Sequence, residues 1–600
     1  MIIPTRLLKG TAKDQLPKLH ETISDILDRT VTEPGAEGLS YVYRVLANVK
    51  ETARLALAAI AETFGDKFAE EQEAVALAAD IVAEAYAVES VLLRTEKMIA
   101  AKGKGNCELA IEITRAYASD STGRVALAAS NLAAGLNEPK KLRDAFERLS
   151  LQRPINAIAE RDFEQARELA KSLSASGRAE RESRARAAPL MGVPFALKDL
   201  GVAMKGTVTT NGCAFFRDAV QDHDSTLVQR HRAAGLNIFA KTTTPEFGQT
   251  ATTESRLFGL TRNPWHLERS TGGSSGGSAA LVAAGVIPVA HGTDGGGSIR
   301  IPASACGLFG LKPSRSRVPP GPDVLDASLG LSVHHVISRS VRDSALLLEL
   351  TQGPEPGTRI GPPIDPVLPA LTRPPRRLRI ALLEDNLFRV PVHPDCLEAV
   401  RKAARLCEAL GHSVESAPRP LLPDDLVAQM YGGMGLMTGT SMLVAVMARE
   451  KALGRSANED EFEPINWRTL KAARGYTAAQ ITSARMACDQ AGRAFDLFFG
   501  KYDMLLSPTT AAPAPKLGVL SLDQPWDDYV KEAVTASAFT SMFNISGNPA
   551  MSVPLFWSAG GLPVGVQFAA AFGAEARLLA LAAQLEHAAP WNERRPTLGS

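Results

Sequence analysis

Two short stretches of this 600-residue chain crowd glycine and serine together. TGGSSGGSAA spans 271–280, and GTDGGGSIRIP spans 292–302. Ser274 and Ser298 stand 24 residues apart, separated by a short helix pattern and the strand-like IPVAHG. Where side chains are this small, backbone N–H groups can converge on one point, which suits an anion or a developing oxyanion. A phosphate loop would need the lysine of G-x-x-x-x-G-K-[ST], and a dinucleotide fingerprint three spaced glycines; neither is present. A nucleophile elbow fits Gly272-Gly273-Ser274-Ser275-Gly276 as G-x-S-x-G. The preceding RNPWHLERST is not strand-like, however, and His334, His412 and His587 lack the context of a triad partner. Merely flexible loops fit poorly with the ordered apolar runs on either side.

The surrounding sequence resembles the amidase signature family. TRNPWHLERSTGGSSGGSAALVAAGVIPVAHGTDGGGSIRIPASACGLFGLKPS carries the resemblance across both clusters. PLMGVPFALKDL upstream is similar to the family's lysine segment. YDMLLSPTT and FNISGNPAMSVPLFWSAGGLPVGVQFAAAFGAEARLLALAAQLE resemble its C-terminal part. The likeness runs over about residues 150–595. It implies an α/β/α sandwich with a mixed, twisted sheet, and hydrolysis of a small carboxylic amide, linear or cyclic, through an acyl-enzyme. By matched position Ser298 is the nucleophile, Ser274 the bridging serine after a cis peptide at Gly273, and Lys198 the base. The amides of Gly295, Gly296, Gly297 and Ser298 match the oxyanion hole. Ser275, Asp294 and Arg300 fall on supporting positions. The family needs no metal or organic cofactor. The 463–518 stretch resembles the subgroup that contains hydrolases of cyclic amide oligomers.

Elementary chemistry agrees with those roles. A serine hydroxyl attacks only when a base takes its proton. Lysine can do so only when neutral, which requires a pKa well below about 10.4. Burial lowers it, and Lys198 follows Phe195, Ala196 and Leu197. Ser274 then carries the proton from Ser298 to Lys198 and returns it to the leaving amine, which departs readily only when protonated. Three consecutive glycines leave the backbone unobstructed. Asp294 and Arg300 can pair beneath the loop, and Ser275 can hydrogen-bond locally. Cys306 reads as core. Asn263, Pro264 and Trp265 shape the loop before Ser274, and Thr271 stands where the family often has proline. The methionines and glycines of 430–442 read as an adaptable acyl-side wall.

The elements that must hold these residues alternate. Short β-type runs at 237–241, 287–291, 378–383, 504–507, 550–555 and 564–569 interleave with helical patterns at 225–234, 277–284, 393–410 and 574–587. That alternation predicts a layered α/β domain over 146–600, with the Pro-rich 353–375 as a surface connection. Residues 1–145 read as helices, at 43–64, 68–100 and 106–118. EEQEAVALAADIVAEAYAVESVLLRTEK and AIEITRAYASDSTGRVALAA resemble the C-terminal helical region of very-long-chain-type acyl-CoA dehydrogenases. The flavin- and acyl-binding parts of such enzymes are not in this sequence, so the likeness implies no dehydrogenase chemistry. Pro154-Ile155-Asn156-Ala157-Ile158 follows almost directly, and KLRDAFERLS is expected to replace the family's opening helix.

Composition is that of a globular protein, with 45% apolar and 22% charged residues. A net charge of +1 gives no global field for nucleic acid or an anionic membrane. Six scattered cysteines form no CxxC pair, so a reducing cytosol is expected. The N-terminus lacks a signal-peptide pattern, and no run of about 20 apolar residues is expected to span a membrane. A homodimer is compatible with all of this. The competing class is a non-catalytic fusion product whose helical region mediates association.

Overall fold

The computed structural model describes residues 72–103 and scattered positions from 39 to 125 of the first part. Of the second it describes 155–596, with breaks at 162, 176–182, 185, 325 and 357–365. The chain divides into two compact units, Met1–Pro154 and Ile155–Leu598.

In the first unit, helix α1 (Gln72–Lys102) accounts for most of the expected 68–100 helix. The described residues between 42 and 56 are helical as well. Val42, Val45, Val49, Ile81, Val88 and Leu92 are buried, so this unit has an apolar interior of its own. Lys50 Nζ donates to Glu89 at 2.9 Å, and the Thr95 and Thr114 hydroxyls share a 2.6 Å hydrogen bond. The KLRDAFERLS segment lies outside the described residues.

Among its described residues the second unit holds four sheets, two of them small hairpins: Glu254–Ser255 with Gly259–Leu260, and Arg262–Asn263 with His266–Ser270. The stretch before Ser274 is therefore strand after all. Of the other two sheets, the smaller has three strands, β1 (Ile158–Arg161), β2 (Pro194–Lys198) and β3 (Asn237–Thr242), in the order β1-β3-β2, with β2 parallel to β3. The larger has eight: β4 (Val289–Asp294), β5 (Phe309–Lys312), β6 (Val333–Ser338), β7 (Arg379–Leu382), β8 (Ser413–Ser416), β9 (Met504–Pro508), β10 (Ala550–Trp557) and β11 (Pro563–Ala569). Their order is β8-β7-β9-β11-β10-β5-β6-β4. Only β7 runs parallel to its neighbours β8 and β9; the remaining pairings are antiparallel. The sheet is therefore mixed.

Side-chain alternation along the strands makes it the middle layer. Ile380, Met504, Leu506, Val566, Phe568 and Met551 enter one core. Their neighbours Ala381, Leu505, Ala569 and Ala550 enter another. Helices α5 (Pro394–Ala409) and α10 (Glu575–Ala588) cover the first face. The other is covered by α6 (Asp424–Leu453), α8 (Ala478–Phe499) and α9 (Met542–Ser546), with α7 (Pro464–Ala473) packed beside α6. α5 begins at Pro394, where the His393 side chain accepts from Asp395 N. α8 opens on a capping box between Thr477 and Gln480. An α/β/α sandwich follows.

α6 was not foreseen. By length and composition it could cross a membrane, with a mean hydropathy of 1.2 over its most apolar stretch. Met430 and Met437 are buried in one core, and Met442 and Val446 in another. Those four residues thus serve packing, while Val444 and Met447 of the same helix are exposed. All six cysteines are unpaired and buried.

Candidate active site

Lys198 is the last residue of β2, an edge strand whose burial increases inward from Pro194. Its side chain is fully buried. Nζ donates to Ser274 Oγ at 2.6 Å and to Thr293 Oγ1 at 2.8 Å. Burial holds the amine well below the ordinary lysine range, while the Asp294 carboxylate acts weakly against that.

Ser274 follows a cis peptide bond after Gly273. It stands one residue before Ser275, the residue that precedes α3 (Gly276–Ala283). That helix is wholly buried. A Cβ on Gly277 would come within 2.5 Å of Thr243 Oγ1, so glycine is what lets the helix start against β3. Ser275 Oγ donates to Thr293 O at 3.2 Å and accepts from Thr293 N at 3.3 Å. This ties the Ser274 loop to strand β4.

β4 leads into the glycine turn, then into α4 (Arg300–Cys306). Asp294 and Arg300 form a fully buried pair at 2.9 Å. Burial alone would push the Asp294 carboxyl up, but the guanidinium charge and its hydrogen bonds hold it well below the usual carboxylate range. Arg300 also donates to Thr540 O, Gln567 Oε1 and Asn544 Oδ1, at 2.8, 2.7 and 2.6 Å. The carboxylate in turn shapes the turn above it. It accepts from Gly297 N at 2.8 Å and Ile299 N at 3.1 Å. The Gly297 amide, expected among the oxyanion donors, is thereby engaged with Asp294. Among the described residues the amides of Gly295, Gly296 and Ser298 have no protein partner. Gly297 has φ +131, and a Cβ there would lie 2.4 Å from Thr540 Oγ1. Ser298 is half-buried, unlike Lys198 and Ser274. Its carbonyl accepts from Ser275 N at 3.3 Å. The structure thus links Lys198 to Ser274 and seats Ser298 beside them. A hydrogen bond between the two serine hydroxyls is not among those formed.

Flanking residues hold the frame. Asn263 Nδ2 donates to Ser270 O and Ala305 O, and Trp265 Nε1 to Cys306 O. Cys306 is buried, its thiol pushed up by burial and directed at Thr271 O. The methionine segment divides. Met434 Cε would lie 3.1 Å from a Cβ on Gly296, so it reaches the nucleophile turn. Met437 instead packs in a core, its sulfur 3.7 Å from Cys488 Sγ. It cannot line an acyl pocket as the sequence reading had it. A cavity of about 60 Å³ touches Gly272 and Ile301, with apolar walls from Pro513, Val519 and Leu520 and one carboxylate, Glu532. Among the described residues no group of three or more His, Cys, Asp or Glu could hold a metal ion. Sequence reasoning assigned no role to Thr293, although it lies inside the second glycine-serine cluster, nor to His291.

Residues 142–579 match the amidase family model. This chain is a member of the amidase family. It is 40% identical over 443 residues to the 6-aminohexanoate-cyclic-dimer hydrolase of Paenarthrobacter ureafaciens, covering 70% of this amidase and 88% of that protein. The corresponding hydrolase of Pseudomonas sp. (strain NK87) is 39% identical over 440 residues, with the same coverage. Among solved structures, a 6-aminohexanoate cyclic dimer hydrolase complexed with substrate is similar at TM-score 0.68 and 35% identity, over 78% of this chain and 98% of that one. A bacterial aryl acylamidase is similar at TM-score 0.65 and 27% identity, over 75% and 92%. Residues 48–150 match the acyl-CoA dehydrogenase C-terminal domain. The amidase therefore hydrolyses amides, behind a helical unit of different ancestry.

Proposed function

We propose that this amidase cleaves its substrate through Ser298, relayed by Ser274 to Lys198, with an acyl-enzyme as intermediate. The observation that carries the reading is the buried Lys198 amine 2.6 Å from Ser274 Oγ. With the amine neutral, the same contact runs in reverse, and Ser274 O–H lies on the nitrogen lone pair. Ser274 can then accept from Ser298 as the latter attacks the carbonyl carbon. The tetrahedral oxyanion takes hydrogen bonds from the amides of Gly295, Gly296 and Ser298; each such donor is worth about 3–4 kcal/mol. The proton returns through Ser274 to the amine as the C–N bond breaks, and water repeats the sequence on the ester. The Gly297 amide serves Asp294 instead, holding the turn in shape.

The substrate class we favour is amides of ω-amino acids, cyclic or linear. The apolar cavity beside Gly272 and Ile301 supports an alkyl-rich substrate, and the hydrolases named above supply the precedent. Six unpaired cysteines accord with a reducing, cytosolic setting.

A fluorophosphonate probe tests the chemistry. Wild-type protein is expected to gain one adduct on Ser298 by mass spectrometry, and Ser298→Ala none. Hydrolysis of 6-aminohexanoate cyclic dimer should fall on the order of 10⁵-fold or more in that variant. Equal labelling of both proteins overturns the assignment.

A further inference from the structure

Four of the histidines buried in the second unit lie together, with His231, His334 and His335 gathered around His291, which also neighbours Lys198. His291 bonds the lysine's own backbone, and His334 bonds His291. β2 and β4 are edge strands of different sheets, so no ladder connects them. The Lys198 N–H on that free edge donates instead to His291 Nδ1, at 3.2 Å. The other nitrogen of His291 meets His334 Nδ1 at 3.2 Å, with the rings stacked at 5.4 Å. His334 stands directly across the β4–β6 ladder from Thr293, the second partner of Lys198 Nζ. The contacts close into a ring: Lys198 backbone, His291, His334, Thr293, Lys198 side chain.

This ring fixes proton positions. A backbone N–H only donates, so His291 Nδ1 is the acceptor and its hydrogen sits on Nε2. Nε2–H then donates to His334 Nδ1, which places the second ring's hydrogen on its own Nε2. Adding a proton to either imidazole puts two donors face to face. We propose that His291, with its tautomer set by His334, is a positioning residue for Lys198. It stitches the edge of β2 to β4 and so sets the height of the amine relative to Ser274. The proposal rests on Lys198 being the base. Around His291 stand Lys198 from β2, His334 and His335 from β6, and His231 from α2 (Thr226–Ala233). A charge on any of these rings would also repel the protonated amine that forms during turnover. Burial and these neighbours depress His291, and burial brings His334 to about 4, so both stay neutral at working pH.

The rate of fluorophosphonate labelling against pH reads this without knowledge of the substrate. His291→Leu should label about 10–100-fold more slowly at neutral pH, by analogy with loss of the hydrogen-bond partner that orients a metal-ligating histidine. His291→Asn places Oδ1 where Nδ1 stood and should recover most of the rate, whereas His291→Gln should not. His334→Leu frees the His291 tautomer and should move the acid limb to higher pH, while His334→Asn leaves it in place. A purely structural role would lower the melting temperature without moving that limb or separating Asn from Gln. Equal rates for His291→Asn and His291→Gln, with an unmoved limb in His334→Leu, overturn the proposal. Lys198→Ala separates the two levels. If it labels normally the lysine-base reading fails, and if it is inert while every histidine variant is normal only this inference does.

Discussion

At the scale of single residues, the site works because groups of unequal burial meet. In the proposed roles the nucleophile, Ser298, is half-buried and its base, Lys198, fully buried, so water cannot level the lysine's basicity. Lys198→Ala should lower kcat about 10²–10⁴-fold, the usual contribution of a positioned base. The sign of its pH dependence follows from burial. If Lys198 is the base, the neutral amine is the active form and its pKa is depressed, so wild-type activity falls as pH drops through that lowered value. A wild-type kcat profile whose half-point lies in the ordinary lysine range would contradict this. Asp294 carries a second prediction. Asp294→Asn leaves Arg300 charged in a dry site, which typically costs about 3–5 kcal/mol. It also weakens the anchor of Gly297 N. Urea unfolding followed by labelling should show both losses, and a shift below about 1 kcal/mol refutes the reading. The two serines and Lys198 were legible because each sits in a distinctive run of small or apolar neighbours. Thr293 and His291 were not, since their partners arrive from β2 and β6. Only strand register, which no local pattern encodes, brings them together.

At the scale of elements, strands announced by β-branched or apolar runs were placed within a few residues, such as 237–241 against Asn237–Thr242. β1, β2, β5, β6 and β8 were missed, and three of these matter to the site. Pro-Phe-Ala-Leu-Lys, Phe-Gly-Leu-Lys and Val-His-His-Val-Ile-Ser are short, and they carry polar residues that burial then satisfies with hydrogen bonds. β2, β5 and β6 hold the lysine, the ladder beside β10, and His334 and His335. The site's scaffold was thus harder to read than its chemistry. α6 shows the converse error, where composition gave one role to methionines that packing divides. Met434→Gln should alter preference between aliphatic and aromatic amides with little effect on stability. Met437→Gln buries an amide in a core without a built partner and should cost about 1–3 kcal/mol, read as a lower melting temperature with selectivity intact. The reverse pattern would restore the undivided reading.

At the scale of the whole molecule, acid is the condition the interior resists least. His231 is held at about 3, His334 at about 4 and His335 at about 3, chiefly by burial. Their unfolded counterparts titrate near 6.5. Below that value the unfolded chain binds protons the native one refuses, so their contribution is present above about 6.5 and is lost as pH falls toward 4 and 3. Buried carboxyls act oppositely. Burial raises Glu246 to about 7 and Glu463 to about 8, so the native state holds protons there that the unfolded chain has released. A double difference isolates the histidines. His231 packs edge-on against Phe195, with ring centroids 4.7 Å apart, and its Nδ1 has no partner among the described residues. His231→Phe should therefore gain more stability relative to wild type at pH 5 than at pH 8, measured by urea midpoints. An equal change at both pH values would count against the assignment.

The unpaired cysteines give the molecule an internal clock. Every thiol is shielded, so a soluble alkylating reagent can react only when the surrounding structure opens. Cys107 belongs to the first unit, and Cys213, Cys306, Cys396, Cys407 and Cys488 to the second. Timed alkylation with peptide mapping would follow each unit's opening separately in the intact chain. A common rate would mean that the helical unit and the amidase have come to unfold as one body; distinct rates would mean that the joined sequences still keep separate lifetimes.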